Sequence, residues 1–445
     1  MMNNVKKLKK SKCEANDGTF SIIFWCMTLA ALLPEYFALV AFFVTAVIFF
    51  WRTKSQGKEI KLSTIGIFFL LFTIWQFVGI IYTDNLFMGV VVAVLMLLAY
   101  LVYLFTLETF DTMNKIEKIV FSLSIIGGIA GLIGIIEVIL MHFGGYINES
   151  LTYILNPFWR VLNTFVANVA TSTIFPDFIV DSMPRVEFIA ISHRASSTFT
   201  NPLIFAYFLL ITLPFSAYGL FQRKERNIKI ISFLSMICII GGIASSYSRG
   251  PYLATVLVII ILMFYNKETA YKLFGLSSSG LVVLAMVSPS VFNRFLTISS
   301  SSDTSINLRY DIWRVAIKAI QENKFSGMGT SAENFRNFLI EQSGINQPHA
   351  HNLFLELLVE GGVFGFTVFI AAVILIIYKL LKLCIISEKG RVLGLTFFAG
   401  LIGLLACGML DHIFYGPKIV IYFMFLIGLS EASCRVCKKE LAFKE

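Results

Sequence analysis

Charge is what this sequence has least of. Only 14% of its 445 residues are Asp, Glu, Lys or Arg, against roughly 25% in an ordinary soluble domain, while 57% are hydrophobic. That excludes a water-soluble globule and leaves an all-α polytopic membrane protein. Cysteine is sparse too. The seven, at positions 13, 26, 238, 384, 407, 434 and 437, lie in apolar runs or in segments assigned below to the cytoplasm, so no disulfide framework is implied. Cys434 and Cys437 form a Cys-x-x-Cys, but with no second pair and no βαβ context they read as two thiols near a helix end. Internal repeats, low-complexity tracts and a soluble domain of usual size are all missing.

The net charge of +9 does not point to nucleic acid, because the cations are scattered in short loops and form no single patch. Lys6, Lys7, Lys9, Lys10 and Lys12 precede an apolar run from Phe20. No small-x-small cleavage site follows, so the run is expected to be a retained first span rather than a signal peptide. Apolar runs able to cross about 30 Å of hydrocarbon fall at 19–34, 36–51, 62–82, 87–107, 119–143, 203–221, 229–247, 251–265, 272–290, 352–378, 392–411 and 417–432. About 12 transmembrane helices are therefore expected, the first two and the eighth short. The chain divides into a five-span bundle (1–143), an extracytoplasmic loop (144–202), a four-span segment (203–290), a large extracytoplasmic helical loop (291–351) and a three-span end (352–445).

Loop charges orient the scheme. With the N-terminus inside, 25 Lys and Arg fall on the cytoplasmic side and 11 outside, although the outer loops are longer; this is the positive-inside bias, and it puts both termini in the cytoplasm. The outer set holds eight arginines (160, 185, 194, 249, 294, 309, 314 and 336) and three lysines (318, 324 and 418), while the inner set has five arginines. Arginine's planar fork grips phosphate through two parallel bonds and lysine does not. The outer face is thus equipped for a phosphorylated ligand.

Two outer segments are long. In 144–202, Asn156 and Pro157 suit an N-cap and first helical position, and the apolar residues that follow suit an amphipathic helix, lying on the membrane or closing as a lid. In 291–351 a helix is expected from Ile306 to about Asn323, with Leu308, Ile312, Trp313, Ala316, Ile317 and Ile320 on one face. After a Gly327-Met328-Gly329 turn, Thr330 and Glu333 form a capping box for a second helix towards Ile340. Gly327-x-Gly329-x-x-Ala332 matches a dinucleotide fingerprint only in form, since no apolar strand precedes it.

The chemistry-bearing stretch is Gln347-Pro348-His349-Ala350-His351-Asn352, a polar segment that runs into a long apolar helix. It carries two of the five histidines. His351 suits three roles: a structural histidine, a metal ligand with His349, or a general base. A metal shell would need His412, Asp411, Glu356 or Glu360 to complete it, and the spacing does not favour that over a base. Arg249 sits between two apolar runs with almost no polar loop, where a cation either binds something or snorkels to headgroups. Arg309 lies one turn before Trp313 and either meets a ligand or stacks on the indole. Arg194, just before a span, is a ligand contact or an interfacial anchor. Arg314, Lys318 and Arg336 read as a solvated face.

Four stretches together resemble the bacterial O-antigen ligase and O-antigen polymerase family. They are Arg194 to Asn201-Pro202, the Ser248-Arg249-Gly250 hinge, Arg309-Tyr310-Asp311-Ile312-Trp313 leading to Gly327-Met328-Gly329, and His351-Asn352 with Gly362 and Gly365. The resemblance covers about 190–365. It implies a GT-C-like membrane glycosyltransferase in the bacterial inner membrane, using no metal or other cofactor. The donor would be a glycan on undecaprenyl diphosphate. The acceptor would be a sugar hydroxyl at the outer leaflet, on a lipid-linked repeat (polymerase) or a lipid-anchored core oligosaccharide (ligase), two outcomes the residues do not separate. It implies His351 as catalytic histidine and Arg194, Arg249 and Arg309 around the donor diphosphate, with Asn352, Gly362, Gly365, Trp313 and His349 as motif positions. The competing expectation is a polysaccharide or lipid-linked sugar transporter or flippase. It is disfavoured because ionisable residues cluster on one side and no interrupted helices occupy matching halves.

Overall fold

In a computed structural model the described residues are 18, 20–55, 57, 59–60, 62–143, 194–273, 275 and 304–442. Several expectations lie outside them: the basic N-terminus, the amphipathic helix after Asn156, most of the 272–290 span, and arginines 160, 185 and 294. Among the described residues the fold is helical. The elements are α1 (Phe20–Leu32), α2 (Glu35–Ser55), α3 (Thr64–Gly79), α4 (Leu86–Thr109), α5 (Met113–Phe143), α6 (Pro202–Gln222), α7 (Arg226–Ser245), α8 (Arg249–Met263), α9 (Thr304–Glu322), α10 (Ala332–Ser343), α11 (Leu353–Ile386), α12 (Glu388–Gly408) and α13 (Pro417–Ala442).

Nine helices among the described residues are long and apolar enough to cross a membrane, and α1 and α8 are shorter apolar helices. The second span is therefore not short: α2 runs for 21 residues. The helices also outrun their apolar cores. α11 continues past 378 because Lys379 is held by Glu431 at 2.7 Å, and α13 continues past 432 with Arg435 bonded to Glu108 at 3.3 Å.

Polar caps start the spans where the sequence supplies them. Ser63, Asn85, Asn201 and Asn352 each accept a hydrogen bond from a first-turn amide of the helix they open, satisfying donors that lipid would leave bare. The two helices buried almost all round, α13 (94% over its apolar window) and α6 (89%), form the centre of the bundle. The rim helices turn Val40, Phe43, Val47 and Trp51 of α2, and Leu234 and Ile237 of α7, outward, as a bilayer solvent allows. Close packing inside uses small residues: a Cβ on Gly131 of α5 would stand 2.2 Å from the Cys238 carbonyl oxygen of α7, so only glycine permits that approach.

The helical pair of the large loop differs from expectation in two details. On α9 the buried face is Ile312, Ala316 and Ala319, with Leu308, Trp313 and Ile320 packed against it, whereas Ile317 is half exposed. The capping box does not form. Ser331 caps α10, and Glu333 instead accepts from Asn85 Nδ2. Thr330 is drawn away because its amide bonds to Gly79 O and its hydroxyl to Gln76 O at the end of α3.

Candidate active site

The signature that follows His351 works through backbone geometry. Gly362 interrupts α11 with φ 61° and ψ −170°, which frees carbonyls inside a span. They are all taken up: Met328 N bonds to Val359 O at 2.7 Å, Gly329 N to Glu360 O at 3.1 Å, and Trp75 Nε1 to Gly361 O at 2.8 Å. A Cβ on Gly362 would lie 2.2 Å from Phe325 O, and one on Gly365 2.8 Å from the Trp75 ring. The two glycines thus dock the 324–329 turn and α3 onto the helix that carries the histidine. Gly327 (φ 71°) and Gly329 (φ 101°) form the turn on the other side of this contact.

Upstream, the histidine loop is fixed from every side. Asn352 caps α11 and donates through Nδ2 to Met409 O at 3.0 Å. Trp313 Nε1 donates to Ala350 O at 2.9 Å, and Ala350 N to the buried Glu356 carboxylate at 2.6 Å. Trp313 meets Tyr310 edge-on. Its role is thus to hold the loop, and Arg309 is left with no hydrogen bond or ion pair among the described residues. Arg309 is half-buried, and its field reaches both His349 and Tyr207.

His351 Nδ1 lies 3.0 Å from Asp411 Oδ1. Asp411 also accepts from His412 N at 2.9 Å and, through Oδ2, from the Tyr207 hydroxyl at 3.1 Å. Burial pushes the Asp411 carboxyl up, but the His351 bond, the two neighbouring imidazoles and the His412 amide outweigh it and leave it well below the usual range. An ionised carboxylate only accepts, so the His351 proton resides on Nδ1 and its Nε2 lone pair is open. The sequence marks Asp411 only as a possible metal ligand; its contact with His351 is what sequence reasoning missed.

The neighbouring histidines are neutral. Burial, then the charges of His412 and His351, lowers His349 to about 3; burial chiefly lowers His412 to about 4. His349 Nδ1 accepts from His351 N at 3.3 Å, so its own proton sits on Nε2. His349, His351 and Asp411 have potential metal-ligand atoms within 4.8 Å of one another. An ion held by His351 Nδ1 and Asp411 Oδ1 themselves would replace the bond between them. Glu356 takes the Ala350 amide on Oε2, while its Oε1 is buried with no hydrogen-bond partner among the described residues.

The arginine segments approach the same place. Arg194 Nε donates to Ser246 O at 2.8 Å and its Nη2 to Ser248 Oγ at 2.6 Å, which ties it to the turn that ends at Arg249, the first residue of α8. Ser248 consequently makes no side-chain cap on α8. A Cβ on Gly250 would meet Leu410 at 3.6 Å, which puts this helix start beside the residue preceding Asp411. The Arg194 segment itself is pinned: Glu137 accepts from the amides of Ser196 and Ser197, Thr198 Oγ1 donates to Ala31 O, and Lys418 Nζ donates to Ala31 O and Thr198 O. Arg314 and Lys318 lie on the exposed face of α9, as expected, and Arg336 on that of α10.

Three non-glycine residues among the described ones have positive φ: Ser197 (51°), Tyr247 (48°) and His351 (49°). One falls in each of the three converging segments, and such backbone strain concentrates at functional sites.

The O-antigen ligase family model matches residues 234–370, the stretch that holds Arg249, Arg309, Trp313, His351, Asn352, Gly362 and Gly365. Over this stretch, about a third of its length, the chain is similar to that family. The chain is also 26% identical over 196 residues to an uncharacterised protein of Haemophilus influenzae, a match covering 39% of this chain and 48% of that one. The chain spans about half the length of the curated relative it matches. Arg194 and Asp411 lie outside the matched family segment and join its residues only in three dimensions.

Proposed function

We propose that this chain is a glycosyltransferase that moves a glycan from undecaprenyl diphosphate to an acceptor sugar hydroxyl at the outer leaflet, without a metal ion. His351 Nε2 takes the hydroxyl proton as the oxygen attacks the anomeric carbon, and the bond from that carbon to the diphosphate breaks. Asp411 keeps the imidazole turned and in the Nδ1–H tautomer. Arg309, Arg249 and Arg194 neutralise the leaving diphosphate, aided by the first-turn amides of α8 that no side chain caps. Direct displacement inverts the anomeric centre.

The observation that carries this proposal is the His351–Asp411 pair in a loop beside a half-buried Arg309 that has no hydrogen bond or ion pair of its own. The loop-charge bias favours the outer face for this chemistry. Transport is the weaker alternative. α11 is interrupted, but the freed carbonyls are closed by the protein's own amides and indole, not turned to a substrate path.

The test is purified protein with a lipid-linked glycan donor in the presence of chelator. Formation of a new glycosidic bond is the expected result; movement of donor across proteoliposomes with no new bond contradicts it. Donor alone then separates the two acceptors: a ladder of longer lipid-linked chains identifies a polymerase, and reaction only after a core oligosaccharide is added identifies a ligase.

A further inference from the structure

At the end of the bundle opposite His351, the start of α3, the last three turns of α11 and the end of α13 enclose a cavity of about 190 Å³. Its wall combines Leu375, Tyr378 and Leu383 with three lysines, Lys379, Lys382 and Lys438. Lys379 is neutralised, its Nζ lying 2.7 Å from Glu431 Oε1, and that buried carboxylate is held in turn by the hydroxyls of Tyr103 (2.6 Å) and Ser63 (3.0 Å). Lys382 and Lys438 are exposed and make no hydrogen bond or ion pair among the described residues. The cavity therefore carries an excess of two positive charges on a fixed polar floor.

A second feature lies beside it. Ile374, Tyr378, Leu381 and Ile385 of α11 are all exposed, the last at 86%, and their spacing of four, three and four residues puts them on one face. An apolar track thus leads along the helix from a cationic cavity. The cavity has roughly the volume that six water molecules occupy in the liquid, room for a headgroup but not for acyl chains, which the track would carry. We infer that this cavity binds the headgroup of an anionic phospholipid, with the phosphodiester between Lys382 and Lys438 and the chains along the exposed face of α11. Juxtamembrane lysines attract anionic lipid in general; here the enclosed volume and the immobilised Lys379–Glu431 floor make a site. By the loop charges it faces the inner leaflet, away from the donor.

The experiment is lipid titration of the full chain in detergent, read by native mass spectrometry, with phosphatidylglycerol and phosphatidylcholine of identical acyl chains. Phosphatidylglycerol is expected to bind about ten- to thirtyfold more tightly, two lysines' worth of attraction. The double variant Lys382→Ala/Lys438→Ala is expected to abolish that preference while melting and glycan transfer stay as in the parent. The control Lys224→Ala/Lys439→Ala, which leaves the cavity intact, is expected to retain it. Equal binding of the two lipids, or equal loss in the two double variants, would overturn the proposal. So would competition by glycerol 1-phosphate as strong as that by the whole lipid, since the site would then take free phosphate.

Discussion

Replacing Asp411 by Asn changes one atom and tests the mechanism at its hinge. The carboxylate accepts from His351 Nδ1, from the His412 amide and from the Tyr207 hydroxyl. The His351 and His412 bonds share Oδ1, so an amide oxygen there keeps both, and the NH2 in the place of Oδ2 donates to the Tyr207 hydroxyl, which then accepts. What is lost is the negative charge that stabilises the imidazolium formed as His351 takes the hydroxyl proton. The loss should be about 10²–10⁴ in kcat, with the KM for donor unchanged because the proposed role of Asp411 is to act through His351. Asp411→Glu should recover part of the rate. The assay is glycan transfer by purified protein at saturating donor, with thermal unfolding as the control for folding. A folded Asp411→Asn variant with parental kcat would refute the role of the Asp411 charge in supporting the base.

Three further outcomes follow from the geometry. Gly362→Ala forces a side chain into positive φ, a cost of about 1–3 kcal/mol, and against the Phe325 carbonyl; a lower melting temperature in detergent is expected, and an unchanged one would show that the turn does not dock there. Arg309→Ala should lower kcat/KM for donor about 10- to 150-fold, the worth of a charge-assisted contact, with stability unaltered because Arg309 makes no hydrogen bond or ion pair; Arg309→Lys should restore only part. Stability should fall as pH drops from about 6.5 towards 4. His349, at about 3, and His412, at about 4, refuse protons that the unfolded chain accepts, so the unfolded state binds more protons across that window. Asp411, depressed in the fold, adds a loss of the same sign at lower pH. Melting followed against pH checks this, and His349→Gln/His412→Gln should flatten the curve.

Much of the site could be read along the chain, and the rest only across it. The helix start at Asn352 and the pair Gly362 and Gly365 were visible as a spacing. What Gly362 does was not, because the carbonyls it releases are met by amides of residues 328 and 329 and by Trp75 from a distant helix. Asp411 stayed hidden for the same reason: it reaches His351 from 60 residues away. A carboxylate next to a histidine, Asp411-His412, between two apolar runs was the available signal. The misassigned cap at Thr330 shows local chemistry losing to tertiary contact, since α3 offers that residue two carbonyls. Ile317 sits at the margin of the apolar stripe, where periodicity sets a face but not its edges. The span expected at 36–51 came out longer because Arg52 and Lys54 extend the helix beyond its apolar core.

The central claim is that an imidazole, not an ion, readies the acceptor hydroxyl. Single-turnover transfer by His351→Gln, compared with the parent in chelator and with donor binding measured alongside, tests it most directly. Parental transfer undiminished by chelator, together with a variant that binds donor equally but transfers about 10²–10⁴ more slowly, is the expected result. A variant that transfers at the parental rate, or a parent silenced by chelator and revived by a divalent metal, would contradict it.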